Sequence, residues 1–369
     1  MGFNINYILL HTASLNSIGI QNGSEMTFGE MIMSPAAVRT TVLSGWTDKF
    51  QEFGVNPADA LAVAGVDQQI FPDGHETIPL ANFTRMAEYV GEAASNSAAT
   101  WLIGESYDLA ELGEVGAAVT SAKTLGGALR RLTDNFELLQ DSSRLSLETD
   151  ADAATISYRI LEPSIWPRYH DALFSMGIIA KIVRMAIPDA MESFELGFEC
   201  SKRDTGLHLS PAQMAFECEA NSIRIPIALL DRAMPISQSP SDLNSLKSLS
   251  SALAEKRRSR SACERLAGII FGRLSDGDIN QDCLASEIGM SSRTMRRRLA
   301  DEATSFQQLL DECRMRQAVL EFQVRPFASI ADIALRLGYA EHSTFTRAFS
   351  RWAGTPPQRF RSEMNLTEH

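Results

Sequence analysis

Between Asp282 and Phe360 one pattern is written twice, and it fixes how this third of the chain can fold. In the first copy apolar Leu284 and Ile288 precede Gly289, and a second apolar pair, Met295 and Leu299, follows four residues apart. In the second copy Ile330, Ile333, Ala334 and Leu337 precede Gly338, and Phe345 and Phe349 follow with the same spacing. Apolar residues three and four apart mark one face of a helix. A glycine at a helix end accepts the left-handed backbone that stops it. A second helix starting within a few residues makes a helix-turn-helix. The sequence therefore predicts two such units, at about 280–300 and 329–352. The amphipathic stretch 305–322 (Phe306, Leu309, Leu310, Cys313, Leu320) forms one long helix between them.

The polar positions of the two second helices differ in chemistry. In the first they are Arg293, Thr294, Arg296, Arg297 and Arg298, and in the second His342, Ser343, Thr344, Thr346 and Arg347. A helix fits the major groove of DNA, where Arg can grip guanine through O6 and N7. Ser and Thr can bond bases or phosphates. Most charged runs are simply solvated faces, but two tandem units with polar second helices point to double-stranded DNA. A linker helix holding them about 34 Å apart would let one chain read successive major-groove faces.

Charge divides the chain the same way. Residues 251–369 hold 18 Lys/Arg against 15 Asp/Glu, a net +3. Residues 1–250 hold 16 against 31, a net −15, and such a surface would repel phosphates. The asymmetry signals a domain boundary. The 1–34 stretch shows little pattern and reads as a mobile or loosely docked arm. Residues 35–234 form one domain, 235–250 a linker rich in Pro and Ser at its start, and 251–369 the DNA-binding domain.

Within 35–234, helical spacing predicts a helix running from Pro35 towards Gly54, one opened by Asn56-Pro57, and others at 80–90, 120–139 and 166–187. Period-two alternation at 144–149 and 155–160, around the polar turn 150–154, predicts a β-hairpin ended by Pro163. Further strands are expected at 194–200 and 222–230. The N-terminal domain is thus α+β, helices plus an antiparallel sheet, followed by an all-α DNA-binding domain. The basic cluster Lys256, Arg257, Arg258 and Arg260 reads either as a phosphate contact or as a solvated helix face.

Five cysteines at 200, 218, 263, 283 and 313 form no CxxC pair, so reduced thiols are expected rather than a disulfide framework. Cys200, His208 and Cys218 match no zinc spacing, and no metal or cofactor is expected. No run approaches the ~18 apolar residues that span a bilayer. The Tyr7–Leu10 run lacks the basic flank of a signal peptide, so the expected location is the cytoplasm. GxSxG, a Walker loop, a strand-borne GxGxxG and HExxH are all absent, so no enzyme is predicted.

The stretch 262–361 resembles the DNA-binding domain of AraC/XylS-type bacterial transcription regulators. The residues that carry this are Leu284-Ala285-Ser286-Glu287-Ile288-Gly289, the run Arg293–Leu299, Ser305-Phe306, Ile330–Ala334 and Leu337-Gly338-Tyr339. Phe345, Arg347-Ala348-Phe349, Gly354-Thr355-Pro356-Pro357 and Phe360 complete the set. The resemblance implies DNA contacts at Arg293, Thr294, Arg296, Arg297, His342, Ser343, Thr346 and Arg347. Ala340-Glu341 replace the usual capping Ser or Asp at the second helix. Less specifically, the N-terminal region resembles the arabinose-binding-type sensor and dimerisation domain. That implies a homodimer whose small-molecule effector alters DNA binding, most often an activator, which would also meet RNA polymerase. The alternative is a ligand-independent regulator whose N-terminal domain only dimerises. The densest aromatic and polar mixture, Trp166, Tyr169, His170 and Phe174, is the candidate effector site, with ordinary core packing as the competing reading. The acidic half would favour a cationic effector.

Overall fold

The computed structural model describes residues 36–65, 76–162, 164–188, 194–200, 209, 213–235, 242–274 and 279–366. The expectations for the 1–34 arm, for Pro163, for His208, for the linker's residues 236–241 and for the break at 275–278 fall outside these. The chain divides into two compact units. One comprises 35–161 and 165–259. The other comprises 260–369 with the short segment 162–164.

The first unit is α+β. A short hairpin pairs β1 (Ala37–Arg39) with β2 (Thr77–Pro79). Helices α1 (Trp46–Glu52), α2 (Pro57–Ala64), α3 (Leu80–Ala93), α4 (Ala99–Ser106), α5 (Glu114–Thr120) and α6 (Leu125–Asn135) follow around and after it. The single helix expected from Pro35 is instead a strand, a 3-10 turn (Thr40–Leu43) and α1. The β-branched run Thr40-Thr41-Val42 disfavours an α-helix, and Gly45 at φ 75° separates the pieces. Likewise 120–139 is not one helix. Thr124 accepts from the Gly127 N–H as N-cap, so α6 begins there, and it ends in a 3-10 turn at Phe136–Leu138.

The main sheet has order β3 (Ser143–Thr149), β4 (Ala153–Ile160), β7 (Asn221–Pro226), β5 (Glu195–Gly197), β6 (Gln213–Ala215). All pairings are antiparallel except the short β5–β6 pair. The β3–β4 hairpin matches the alternation in the sequence. The 222–230 strand is shorter than its alternation suggests, because Pro226 cannot donate to the ladder and the chain turns into a 3-10 helix at Ile227–Asp231. Helix α7 (Tyr169–Ala186) packs on this sheet and tightly on α4. The α4–α7 crossing depends on Gly104 and Gly177. A Cβ on either would sit 2.2–2.3 Å from a carbonyl oxygen of the facing helix.

Helix α8 (Asp242–Ser259) belongs to the first unit, although the sequence placed its span in the linker and the start of the DNA-binding domain. Its basic end explains this. Lys256 pairs with Asp141 at 2.8 Å and Arg257 with Glu137 at 2.6 Å, so two of the cluster's cations meet acids of the first unit.

The second unit is all α: α9 (Ala262–Arg273), α10 (Gln281–Glu287), α11 (Ser292–Asp301), α12 (Phe306–Val324), α13 (Ile330–Arg336), α14 (His342–Ala353) and α15 (Pro357–Leu366). It has two cores. An aliphatic one gathers Leu266, Ile270, Leu284, Met295 and Leu299, and an aromatic one gathers Phe322, Phe345, Phe349, Trp352 and Phe360. Helix α12 serves both, giving Leu309, Leu310 and Cys313 to the first and Ala318, Val319 and Phe322 to the second. Its 19 residues span about 28 Å at ~1.5 Å per residue.

Candidate DNA-recognition helices and an apolar cavity

Both turns of the second unit are built as the repeat predicts. Gly289 and Gly338 take φ of 71° and 75°, stopping α10 and α13. The next helices then bury one face each. In α11, Met295 and Leu299 are buried while Arg293, Arg296, Arg297 and Arg298 are exposed and Thr294 is half-buried. In α14, Phe345, Ala348, Phe349 and Trp352 are buried. His342, Ser343, Thr344 and Arg347 are exposed, and Thr346 is half-buried.

The helix starts differ. Ser291 caps α11 by accepting from the Thr294 N–H at 3.2 Å, and its hydroxyl also meets Thr294 Oγ1 at 2.9 Å. Glu341 occupies the N-cap of α14 and makes no capping bond, while Ser343 Oγ donates to its carboxylate at 3.3 Å. The Arg296 Nε donates to the Ser292 carbonyl at 3.3 Å, which lays that side chain back along its helix. Glu302, just beyond α11, accepts from the Ala262 and Cys263 N–H groups at 2.8 and 2.9 Å and so caps α9.

The first unit holds a cavity of about 60 Å³. Its walls are Val38, Val42, Leu112, Leu132, Phe136, Leu139, Leu145, Phe174, Ile178 and Ile179, from β1, the 3-10 turns, α6, β3 and α7. Five polar residues join them: Arg39, Thr41, Gln140, Tyr158 and Ser175. Tyr158 OH donates to Asp171 Oδ2 at 2.7 Å and accepts from Gln140 Nε2 at 2.7 Å, and Gln140 Nε2 also reaches Ser143 Oγ at 2.6 Å.

Of the four residues singled out as an effector site, only Phe174 lines this cavity. It packs against Trp46 at 4.9 Å and against Phe83 and Tyr107. Trp166 lies 5.7 Å from the Arg168 guanidinium. Tyr169 packs on His170 and Phe198. His170 is buried, with Nδ1 3.1 Å from Thr100 Oγ1 and its backbone N–H donating to Glu88 Oε1 at 2.7 Å. The contact partners of a helix start cannot be read from its own sequence. Gln140, Tyr158 and Ser175 carry no local signal that they would converge.

Around these residues the first unit buries an unusual amount of charge. Arg168 reaches the Glu199 carboxylate through Nε and Nη2 at 3.0–3.2 Å, with Nη1 donating to the Ile160 carbonyl at 2.6 Å. Arg159 Nε meets the same carboxylate at 2.5 Å, and Asn221 donates to it at 3.3 Å. Burial pushes the Glu88 carboxyl up to about 8 despite the His170 N–H that stabilises its anion. Burial also pushes Asp171 up to about 6 and His170 down to about 4. At neutral pH Glu88 is protonated and His170 neutral, so two of these groups avoid an unpaired buried charge by losing it.

No helix among the described residues is long and apolar enough to cross a membrane, and none of the five cysteines is in a disulfide.

Comparison with known proteins follows the same division. Residues 54–234 match the family model of the N-terminal arabinose-binding domain of AraC transcription regulators, and residues 284–363 match a helix-turn-helix domain. An uncharacterised HTH-type transcriptional regulator of Mycobacterium tuberculosis is 28% identical over 84% of this chain and 92% of its own. The ornithine utilization regulator of Pseudomonas aeruginosa is 24% identical over 85% of this chain and 93% of its own. Among solved structures, the transcriptional regulator CdpR of Pseudomonas aeruginosa aligns over 83% of this chain and 96% of its own, with 22% identity and a TM-score of 0.35. With both domains matched, in the order the fold presents them, the chain belongs to the AraC-type transcription regulators and is a DNA-binding protein rather than an enzyme.

Proposed function

We propose that the chain is an effector-controlled transcription activator that works as a cytoplasmic homodimer and recruits RNA polymerase. DNA recognition falls to Arg293, Thr294, Arg296 and Arg297 on α11 and to His342, Ser343, Thr346 and Arg347 on α14. The exposure of six of them, with Thr294 and Thr346 half-buried, on helices held by buried opposite faces supports this assignment.

One observation carries effector control. Residues 136–141 have two jobs: Phe136, Leu139 and Gln140 line the cavity, and Glu137 and Asp141 hold Arg257 and Lys256 of α8. Helix α8 is the last helix of the first unit, next in sequence to the DNA-binding unit. Filling the cavity presses on the segment that grips α8, so occupancy has a short mechanical route to it. A ligand acts this way only through its differential affinity for two arrangements of that segment.

A thermal-shift screen of the full chain against a metabolite library tests this, followed by operator binding with each hit. A hit that raises the melting temperature and changes operator affinity supports effector control. No shift across the library, with a dimer seen in sedimentation, favours the ligand-independent regulator instead. A monomeric chain overturns the homodimer.

A further inference from the structure

We propose that the cavity takes a small aliphatic carboxylic acid as its anion, with the chain buried among Leu132, Leu139, Phe174 and Ile178 and the carboxylate held by Arg39. This rests on the reading of the first unit as a sensor and names the chemistry of its ligand.

Size comes first. A cavity of about 60 Å³ holds roughly four to six water-sized groups at ~10–15 Å³ each. That suits a short carbon chain and excludes a sugar with its shell of hydroxyls. The walls agree, since ten of the fifteen lining residues are apolar.

The polar lining then selects the head group. Gln140 and Tyr158 are buried; Gln140 Nε2 is committed to Ser143 and Tyr158, and the Tyr158 hydroxyl donates to Asp171. Gln140 and Tyr158 thus spend these bonds on protein partners. Arg39 does not. Among the described residues its guanidinium has no hydrogen bond or ion pair, and it is the only charged residue in the lining. It is half-buried, so it sits towards solvent rather than at the bottom. Its backbone is pinned from two sides, by the β1–β2 register with Thr77 and by its N–H donating to the Leu139 carbonyl at 3.0 Å. An unengaged guanidinium fork, carried on a pinned backbone beside an apolar cavity, matches a carboxylate, which it can bind through two parallel hydrogen bonds.

The net −15 of the first 250 residues would seem to favour a cation instead. The exposed part of that charge is damped beyond a Debye length of about 8 Å. A guanidinium in contact with the ligand outweighs it, and a cationic head group at Arg39 would meet like charge.

Titration calorimetry on the full chain with hexanoate, 1-hexanol and hexylamine tests this. Hexanoate should bind tightest. Arg39→Gln should weaken hexanoate about tenfold or more and leave 1-hexanol within about twofold, as expected for loss of one charge-assisted contact. Val42→Phe should remove binding of both by filling the cavity. Ile178→Phe serves as a second filling variant should the first melt abnormally. Tighter binding of hexylamine or 1-hexanol, hexanoate affinity unchanged in Arg39→Gln or in both filling variants, or no binding of any probe would overturn the assignment. If hexanoate binds as predicted but leaves operator affinity unchanged, the ligand class stands and effector control fails. If hexanoate fails while a library metabolite shifts both melting and operator binding, the reverse holds.

Discussion

The two units treat charge in opposite ways. The first unit buries it: Glu88, Arg168, Asp171 and Glu199 are all at most 8% exposed. The DNA-binding unit displays it: Arg293, Arg296, Arg297, Arg298 and Arg347 all face solvent on their recognition helices. Its buried charges among the described residues are Glu162 and, on the connecting helix α12, Arg316 and Glu321, none of them on those two helices. A buried charge must be matched by neighbours from distant parts of the chain, so it specifies an interior. An exposed one is free for a partner that the chain itself does not contain.

The largest expected effect breaks the first unit's interior. Arg168→Met strips Glu199 of its bidentate partner and should destabilise the first unit by about 3–5 kcal/mol in denaturant unfolding. Arg297→Met, an exposed cation, should stay within about 0.5 kcal/mol of wild type in the same assay. Equal costs would erase the contrast.

In DNA binding the order reverses. Arg296→Ala or Arg347→Ala should each weaken operator binding by about 1–3 kcal/mol and relax one base preference if the contact is bidentate. Melting should hardly move. A variant that melts early without losing base preference would place that arginine in the fold instead.

Next comes pH. Glu88 has its carboxyl raised from 4.5 to about 8, so its contribution to stability is complete below about pH 4.5 and is lost as pH rises through 8. Asp171 acts in the same sense between 3.8 and about 6. His170 acts oppositely, its contribution being lost as pH falls from 6.5 towards 4. Between pH 6.5 and 8 Glu88 therefore governs, by at most about 1.4 kcal/mol per pH unit. The first unit should weaken over that range, and Glu88→Gln should flatten the profile. A profile unaltered by that substitution would mean Glu88 ionises normally.

The smallest effect compares the two recognition helices. Ser291→Ala removes a cap and should cost about 1 kcal/mol, whereas Glu341→Ser adds one and should stabilise α14 by a similar amount. No gain from Glu341→Ser would show that the start of α14 is already satisfied.

The same contrast explains what the sequence could reveal. In the DNA-binding unit the information is local: Gly289 and Gly338 mark the turns, and Met295/Leu299 and Phe345/Phe349 mark the buried faces within a few residues. Its helices and polar faces were therefore legible. In the first unit the hairpin was legible because alternation is also local. The cavity was not, since Arg39, Gln140, Tyr158 and Ser175 meet only after β1, β4 and α7 have folded together. The aromatic richness of 166–174 signalled a crowded interior, of which Phe174 alone reaches the cavity wall. Helix α8 was misplaced for a related reason, because its basic end looks solvated until Glu137 and Asp141 are found beside it.

The central claim is that two unlike helices of one chain read DNA together, and an interference footprint of the full chain on its selected operator tests it most directly. The account predicts two major-groove contact segments per protomer, about one helical turn apart. Arg296→Ala should erase contacts in one segment only, and Arg347→Ala in the other. A single segment per protomer, or loss of both segments in either variant, would contradict it.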